Sequence, residues 1–177
     1  MDILSKSEFL SRKKELIKEI ESGAVFIYPT DTIYGLGCLA LNKKSVKKIE
    51  SLKKRKNQPF SILVSKPWIK ENCILKKEHK KVFNKLPGPY TLILRLKKGG
   101  TIGIRIPKHW FSKIIKETGP IITTSVNISG KPFMTCLEDA DKTILKKVDF
   151  ILYEGKKTGK PSTLIDLTGD KTKITKR

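Results

Sequence analysis

Residues 90–107 constrain the fold more than any other part of the chain. YTLILRL (90–96) and IGIRIP (102–107) are strand-length runs rich in β-branched and apolar residues. Lys97-Lys98-Gly99-Gly100 between them reads as a turn. Such a pair is a hairpin, so the sheet it joins must contain antiparallel neighbours. Elsewhere helices and strands alternate. A helix is expected over 7–22, capped by Ser7, striped by Leu10, Leu16, Ile17 and Ile20, and stopped by Gly23. AVFIYPT (24–30) reads as a short strand, and LGCLAL (36–41) as a second one. Asn42 can cap a helix carrying Val46, Ile49 and Leu52 on one face. FSILVS (60–65), PIITTSV (120–126), FILYEG (150–155) and STLIDL (162–167) are further strands. Helices are expected over 76–85, over 109–118 closing at Gly119, and over 137–147 capped near Thr135. The pattern predicts an α/β or α+β fold, a twisted mixed sheet with flanking helices, as a single domain over 1–177.

Composition narrows the function classes. Hydrophobic residues make up 38% of the 177, enough for a packed core and against wholesale disorder. No apolar run approaches the ~20 residues that span a bilayer, and the charged start has no apolar signal segment. Cys38, Cys73 and Cys136 are odd in number and contain no CxxC, and His79 and His109 add no metal-ligand spacing. A reduced cytoplasmic setting without a metal site is expected. The formal charge of +21 attracts polyanions. Yet it comes from 33 Lys against 5 Arg, with only three Ala, the mark of AT-rich coding. A surface selected to read RNA would favour arginine, so any RNA binding should be weak and sequence-tolerant.

The common nucleotide motifs fail. No GxxxxGK[ST] is present, which removes a P-loop. Gly35-Leu36-Gly37-Cys38-Leu39-Ala40 matches GxGxxA. However, Pro29-Thr30-Asp31-Thr32 separates it from the preceding strand, and Lys53-Lys54-Arg55-Lys56 stands where a ribose-binding acid belongs. The glycines are better read as letting the backbone bend between two strands.

Other residues stand out on physical grounds. Arginine is scarce, so Arg55 at the end of a lysine-rich helix is conspicuous, and its fork suits phosphate. Thr91 and Arg95 share one strand face, where a buried guanidinium would need a carboxylate partner. Arg105 lies inside an apolar strand, either as a ligand contact or as a structural cation of a cavity wall. Thr123, Ser125 and Asn127 alternate at period two and give one polar face to an apolar strand. Pro29-Thr30-Asp31-Thr32 is a turn on its own chemistry.

Taken together, YPTDTIYGLGCLA (28–40), KKRKNQPFSILV (53–64), LPGPYTLILR (86–95), GIRIPKH (103–109) with TTSVNISGKP (123–132), and STLIDL (162–167) resemble one family in order and spacing. It is the YrdC/TsaC family, the L-threonylcarbamoyladenylate synthases, and the chain ends where its single-domain members end. The resemblance implies a basic concave cavity on the sheet. It also implies a nucleotidyl transfer that makes threonylcarbamoyl-AMP and pyrophosphate from L-threonine, bicarbonate or CO2, and ATP with Mg2+, without a bound organic cofactor. The product would feed a tRNA threonylcarbamoyl transferase complex. A non-catalytic RNA-binding module of the same fold is the rival reading. The hydrogenase-maturation carbamoyltransferases, a third reading, carry acylphosphatase and zinc-finger segments, and neither the length nor the cysteines lead one to expect those here.

By the same resemblance Lys53 and Arg55 are the catalytic Lys-x-Arg pair on ATP, with Lys56 where proline is usual. Thr30, Thr32, Arg95, Thr123 and Ser162 fall at threonine-binding positions, Arg95 as the clamp on the threonine carboxylate. Thr91, Ser125, Asn127 and Arg177 fall at ATP-binding positions, and Phe133 stands where many members have a small polar residue or proline.

Overall fold

The computed structural model describes residues 1–55 and 59–176. Among them ten strands form one mixed sheet. In chain order they are β1 (Asp2–Leu4), β2 (Phe26–Tyr28), β3 (Gly35–Gly37), β4 (Ser61–Leu63), β5 (Tyr90–Arg95), β6 (Thr101–Arg105), β7 (Ile121–Ser125), β8 (Phe150–Leu152), β9 (Thr163–Asp166) and β10 (Lys173–Thr175). Their order in space is β1-β8-β2-β3-β7-β4-β6-β5-β9-β10. The expected hairpin is β5–β6, antiparallel with Arg95 opposite Thr101. Parallel pairs (β1–β8, β2–β8, β4–β6, β5–β9) make the sheet mixed. β2–β3 is a second antiparallel pair, and Leu36 between the two glycines of β3 faces Ile27.

The helices differ from expectation in their ends. The first is two helices, α1 (Lys6–Ser11) and α2 (Lys13–Ser22), broken at Arg12. Ser5 rather than Ser7 caps α1, in a reciprocal capping box with Glu8. Gly23 ends α2 in the left-handed region, as expected. Phe9 is the buried residue of α1, whereas Leu10 faces solvent. Asn42 does cap α3 (Lys43–Leu52), accepting from the Ser45 amide at 3.1 Å. A fourth helix, α4 (Lys66–Asn72), capped by Ser65 with Pro67 in its first turn, was not expected. The other expected helices shorten to α5 (Lys80–Phe83), α6 (Ile115–Thr118) and α7 (Lys142–Leu145), each preceded by a 3-10 turn.

Two apolar clusters sandwich the sheet. Leu36, Ile62, Leu92, Ile104 and Ile122 pack on one face under α3 and α4, whose Ile49 and Ile69 are fully buried. On the other face Phe9, Leu16 and Ile20 of α1 and α2 cover Phe26, Tyr28, Leu63, Phe111 and Phe150. Phe26 stacks on Phe150 at 4.9 Å and Tyr28 on Phe111 at 4.8 Å. This second cluster covers only part of its face. The remainder, over β7, β4, β6, β5 and β9, is open. No helix among the described residues is long and apolar enough to cross a membrane.

Candidate functional site

The open face holds a cavity of about 650 Å3. Strand register explains why it is empty of side chains. Thr123 faces Ser61, Ile93 faces both Gly103 and Asp166, and all five line the cavity. A Cβ at Gly103 would lie 2.5 Å from Ser61 Oγ, so the small residues leave the floor low. The row crosses five strands, about 19 Å at the usual interstrand spacing. Asp166 is the one carboxylate among the described lining residues. The cations Lys53, Arg55 and Arg105 line the cavity as well.

Lys53 and Arg55 reach it through the end of α3. Lys54 between them has φ +49°, and the Arg55 amide reaches back to the Glu50 carbonyl at 3.1 Å. The Lys54 amide bonds to Ser51 at 3.0 Å, which completes a Schellman turn with lysine where glycine is usual. Lys53 is 2% exposed. Its Nζ donates to the Ser125 carbonyl at 2.7 Å and to Asn127 Oδ1 at 2.6 Å. No carboxylate pairs with it among the described residues. Burial, and secondarily the Arg55 charge, bring Lys53 down from 10.5 to about 8. The Arg55 guanidinium lies 5.2 Å over the Phe60 ring and donates to the Pro59 carbonyl at 3.2 Å.

The turn after β2 is built around Arg105. This arginine is 5% exposed, and its Nη2 donates to Asp31 Oδ1, to Thr32 Oγ1 at 2.7 Å and to Thr30 Oγ1 at 3.3 Å. Asp31 Oδ2 accepts the Lys108 amide at 2.9 Å. Thr30 lines the cavity, while Thr32 sits behind it as a partner of Arg105 and Thr30. No bond to Arg105 Nη1 or Nε forms among the described residues, and Nε is buried. Thr91 Oγ1 on β5 and Ser162 Oγ, one residue before β9, meet at 2.7 Å, both buried. Thr123, Ser125 and Asn127 all line the cavity, as their spacing predicts.

Three expectations need correction or limitation. Arg95 is exposed, its Nε donating to the Thr168 carbonyl at 2.8 Å, and it is not part of the cavity wall. Alternation does place it on the face of Thr91, but the sheet face is open at that end, so no burial results. The buried arginine among the described residues is Arg105, whose role the sequence left undecided. Thr32 serves the frame rather than the cavity surface. Arg177 and Lys56 lie outside the described residues.

Residues not singled out from sequence also shape the site. Asp166 Oδ1 accepts the Thr168 amide at 2.9 Å and hydroxyl at 2.7 Å, and these bonds lower its pKa. Tyr34 lines the cavity while its hydroxyl donates to the Gly155 carbonyl at 2.6 Å and accepts the Glu154 amide at 2.9 Å. Burial raises that phenol to about 12, so it stays a donor. The local sequence around Tyr34 gives no hint of this, because the partner lies 121 residues away. No cluster of three or more His, Cys, Asp or Glu side chains suited to a metal occurs among the described residues.

Known proteins share this architecture. The Sua5/YciO/YrdC family, described as "telomere recombination", matches residues 18–177. A putative threonylcarbamoyl-AMP synthase of Methanocaldococcus jannaschii is 44% identical over 169 residues, covering 88% of this chain and 80% of that one. The threonylcarbamoyl-AMP synthase of Buchnera aphidicola from Acyrthosiphon pisum is 33% identical, covering 83% and 94%. Pyrococcus abyssi Sua5 complexed with L-threonine superposes with a TM-score of 0.82 at 27% identity, covering 98% of this chain. This chain spans only 56% of that Sua5. With a family match over nearly its whole length and the same sheet, the chain belongs to the Sua5/YciO/YrdC family.

Proposed function

We propose that the protein is a threonylcarbamoyl-AMP synthase, a nucleotidyltransferase acting on L-threonine, bicarbonate or CO2, and ATP. The observation that carries the reading is the buried Lys53, with no carboxylate partner among the described residues, beside Arg55 in a cavity also walled by Arg105. Three cations around a hydroxyl-lined space suit a triphosphate and an amino-acid carboxylate. The relatives' names and the L-threonine complex of the P. abyssi protein support the same substrates.

In this reading the threonine amine adds to CO2 and loses a proton, giving a carbamate. A carbamate oxygen then attacks the α-phosphorus, and the bond to the bridging oxygen of the β-phosphate breaks. Pyrophosphate leaves with its electron pair. Lys53 and Arg55 hold the departing phosphates, and Ser125 and Asn127 aim Lys53. Arg105 offers its unengaged Nη1 to an anion, while Thr30, Thr123, Thr91 and Ser162 supply hydroxyls for substrate. Positioning and charge neutralisation suffice for such a transfer, with no protein nucleophile. Magnesium enters as part of the substrate MgATP. The labile product would pass to a tRNA-modifying transferase in the cytoplasm.

The test is pyrophosphate release from ATP and Mg2+. Release that requires both L-threonine and bicarbonate is expected. Release at equal rate without threonine would assign another substrate.

A further inference from the structure

The wall that carries Ser162 is irregular chain. Residues 153–162 run from β8 to β9 without a strand or helix, and Pro161 and Ser162 at their end line the cavity. The strap lies backbone to backbone on the turn after β2, for a Cβ at Gly159 would sit 2.3 Å from the Thr32 carbonyl oxygen. Between 153 and 159 the strap's own amides make only two main-chain bonds among the described residues, Tyr153 to the Leu4 carbonyl at 2.8 Å and Lys157 to the Thr135 carbonyl at 2.9 Å. Glu154 gathers a side-chain anchor beside them. Its Oε1 accepts the Trp110 indole N–H at 2.5 Å. Its Oε2 lies 3.0 Å from His109 Nε2 and 3.2 Å from Lys157 Nζ. His109 Nδ1 accepts the Phe111 amide, so Nε2 carries the ring proton and donates. Burial by itself would raise the Glu154 pKa, but the three donors outweigh it and the carboxyl is held below its ordinary value. The main chain joins in, since the Glu154 amide donates to Tyr34 Oη.

The same short segment holds the opposite wall. Arg105 and the Lys108 amide grip Asp31 in the turn. His109 and Trp110 grip Glu154 in the strap. Residues 105–110 therefore clamp two loops, distant in sequence, against each other, and the Thr30 and Ser162 hydroxyls stand on those loops. We infer that Glu154 is a positioning residue for the amino-acid end of the cavity, tethering the strap so that Ser162 faces Thr30 at a fixed spacing. The phosphate end, built by Lys53, Arg55, Ser125 and Asn127, does not depend on it.

The inference rests on the synthase reading, and Glu154→Gln separates the two. The amide keeps the size but turns an N–H2 toward donors, so at least one grip is lost. At saturating bicarbonate, KM for L-threonine should rise at least tenfold, with kcat and the KM for ATP within twofold of the original protein. Hydrogen exchange at the Glu154 and Lys157 amides should quicken at least tenfold while β7 is unchanged. Gly159→Ala, which pushes the strap from Thr32, should reproduce the threonine effect. Ser5→Ala, which loosens the remote α1, should not. Equal rises in both KM values, or unchanged exchange at Glu154 and Lys157, would overturn the tether. If the original protein releases no threonine-dependent pyrophosphate, the synthase reading falls. Exchange then decides: faster exchange at the strap alone supports the tether, and unchanged exchange refutes it.

Discussion

At the scale of single residues, Lys53 is a buried ammonium with no carboxylate partner among the described residues. Lys53 titrates near 8 because burial disfavours its charge, against 10.5 for a solvated lysine. An anion bound beside it favours the charged form, so binding should take up a proton near that pH. Pyrophosphate affinity measured by calorimetry should fall as pH rises from 7 to 9, and the Lys53→Met protein should lack this dependence. The same shift acts on folding. Between about pH 8 and 10.5 the unfolded chain binds more protons at this lysine than the folded one, so the anion-free protein should gain stability from Lys53 as pH rises through that window. Urea midpoints of the original and Lys53→Met proteins at pH 7.5 and 9.5 would report it, the Met advantage shrinking at the higher pH. The two strand arginines give a second contrast. Arg105→Lys keeps a charge but cannot hold Asp31, Thr30 and Thr32 and still present a second nitrogen. Threonine-dependent pyrophosphate release should drop at least thirtyfold. Arg95→Lys, at an exposed site outside the cavity wall, should stay within threefold.

At the scale of elements, the cationic pair is set by how α3 ends. Lys54 occupies a left-handed position that costs an L-residue about 1–2 kcal/mol, while glycine pays there mainly in unfolded-state entropy. Lys54→Gly should stabilise the protein by roughly 0.5–1 kcal/mol, and Lys54→Val should destabilise it, both read from urea unfolding. Boundaries were the least legible part of the elements. Arg12 breaks the first helix and Ser5 wins the cap because Glu8 completes a capping box with it, a reciprocity that Ser7 lacks. The hairpin, β4, β7 and β9 were legible because their period-two patterns are local. β1 and β10, three residues each, carry too little pattern and exist through their pairing with β8 and β9.

At the scale of the whole molecule, charge and shape have separate consequences. The excess of lysine makes a diffuse field, so RNA binding should be weak, indifferent to sequence, and lost steeply between 50 and 200 mM salt in a filter-binding titration. Tight binding of one tRNA that survives high salt would favour an RNA-binding module over the synthase. The sequence by itself determined the mixed sheet, the Lys-x-Arg pair and the polar face of β7, because each depends on neighbours within a few positions. Only the tertiary structure decided which arginine is buried, since strand alternation fixes a face but not what covers it. The α1 and α2 cluster ends short of Arg95 and leaves that part of the face open. Likewise the grip on Glu154 joins side chains more than forty residues apart. No local pattern records such a contact, because packing of the sheet, not chain neighbourhood, brings its partners together.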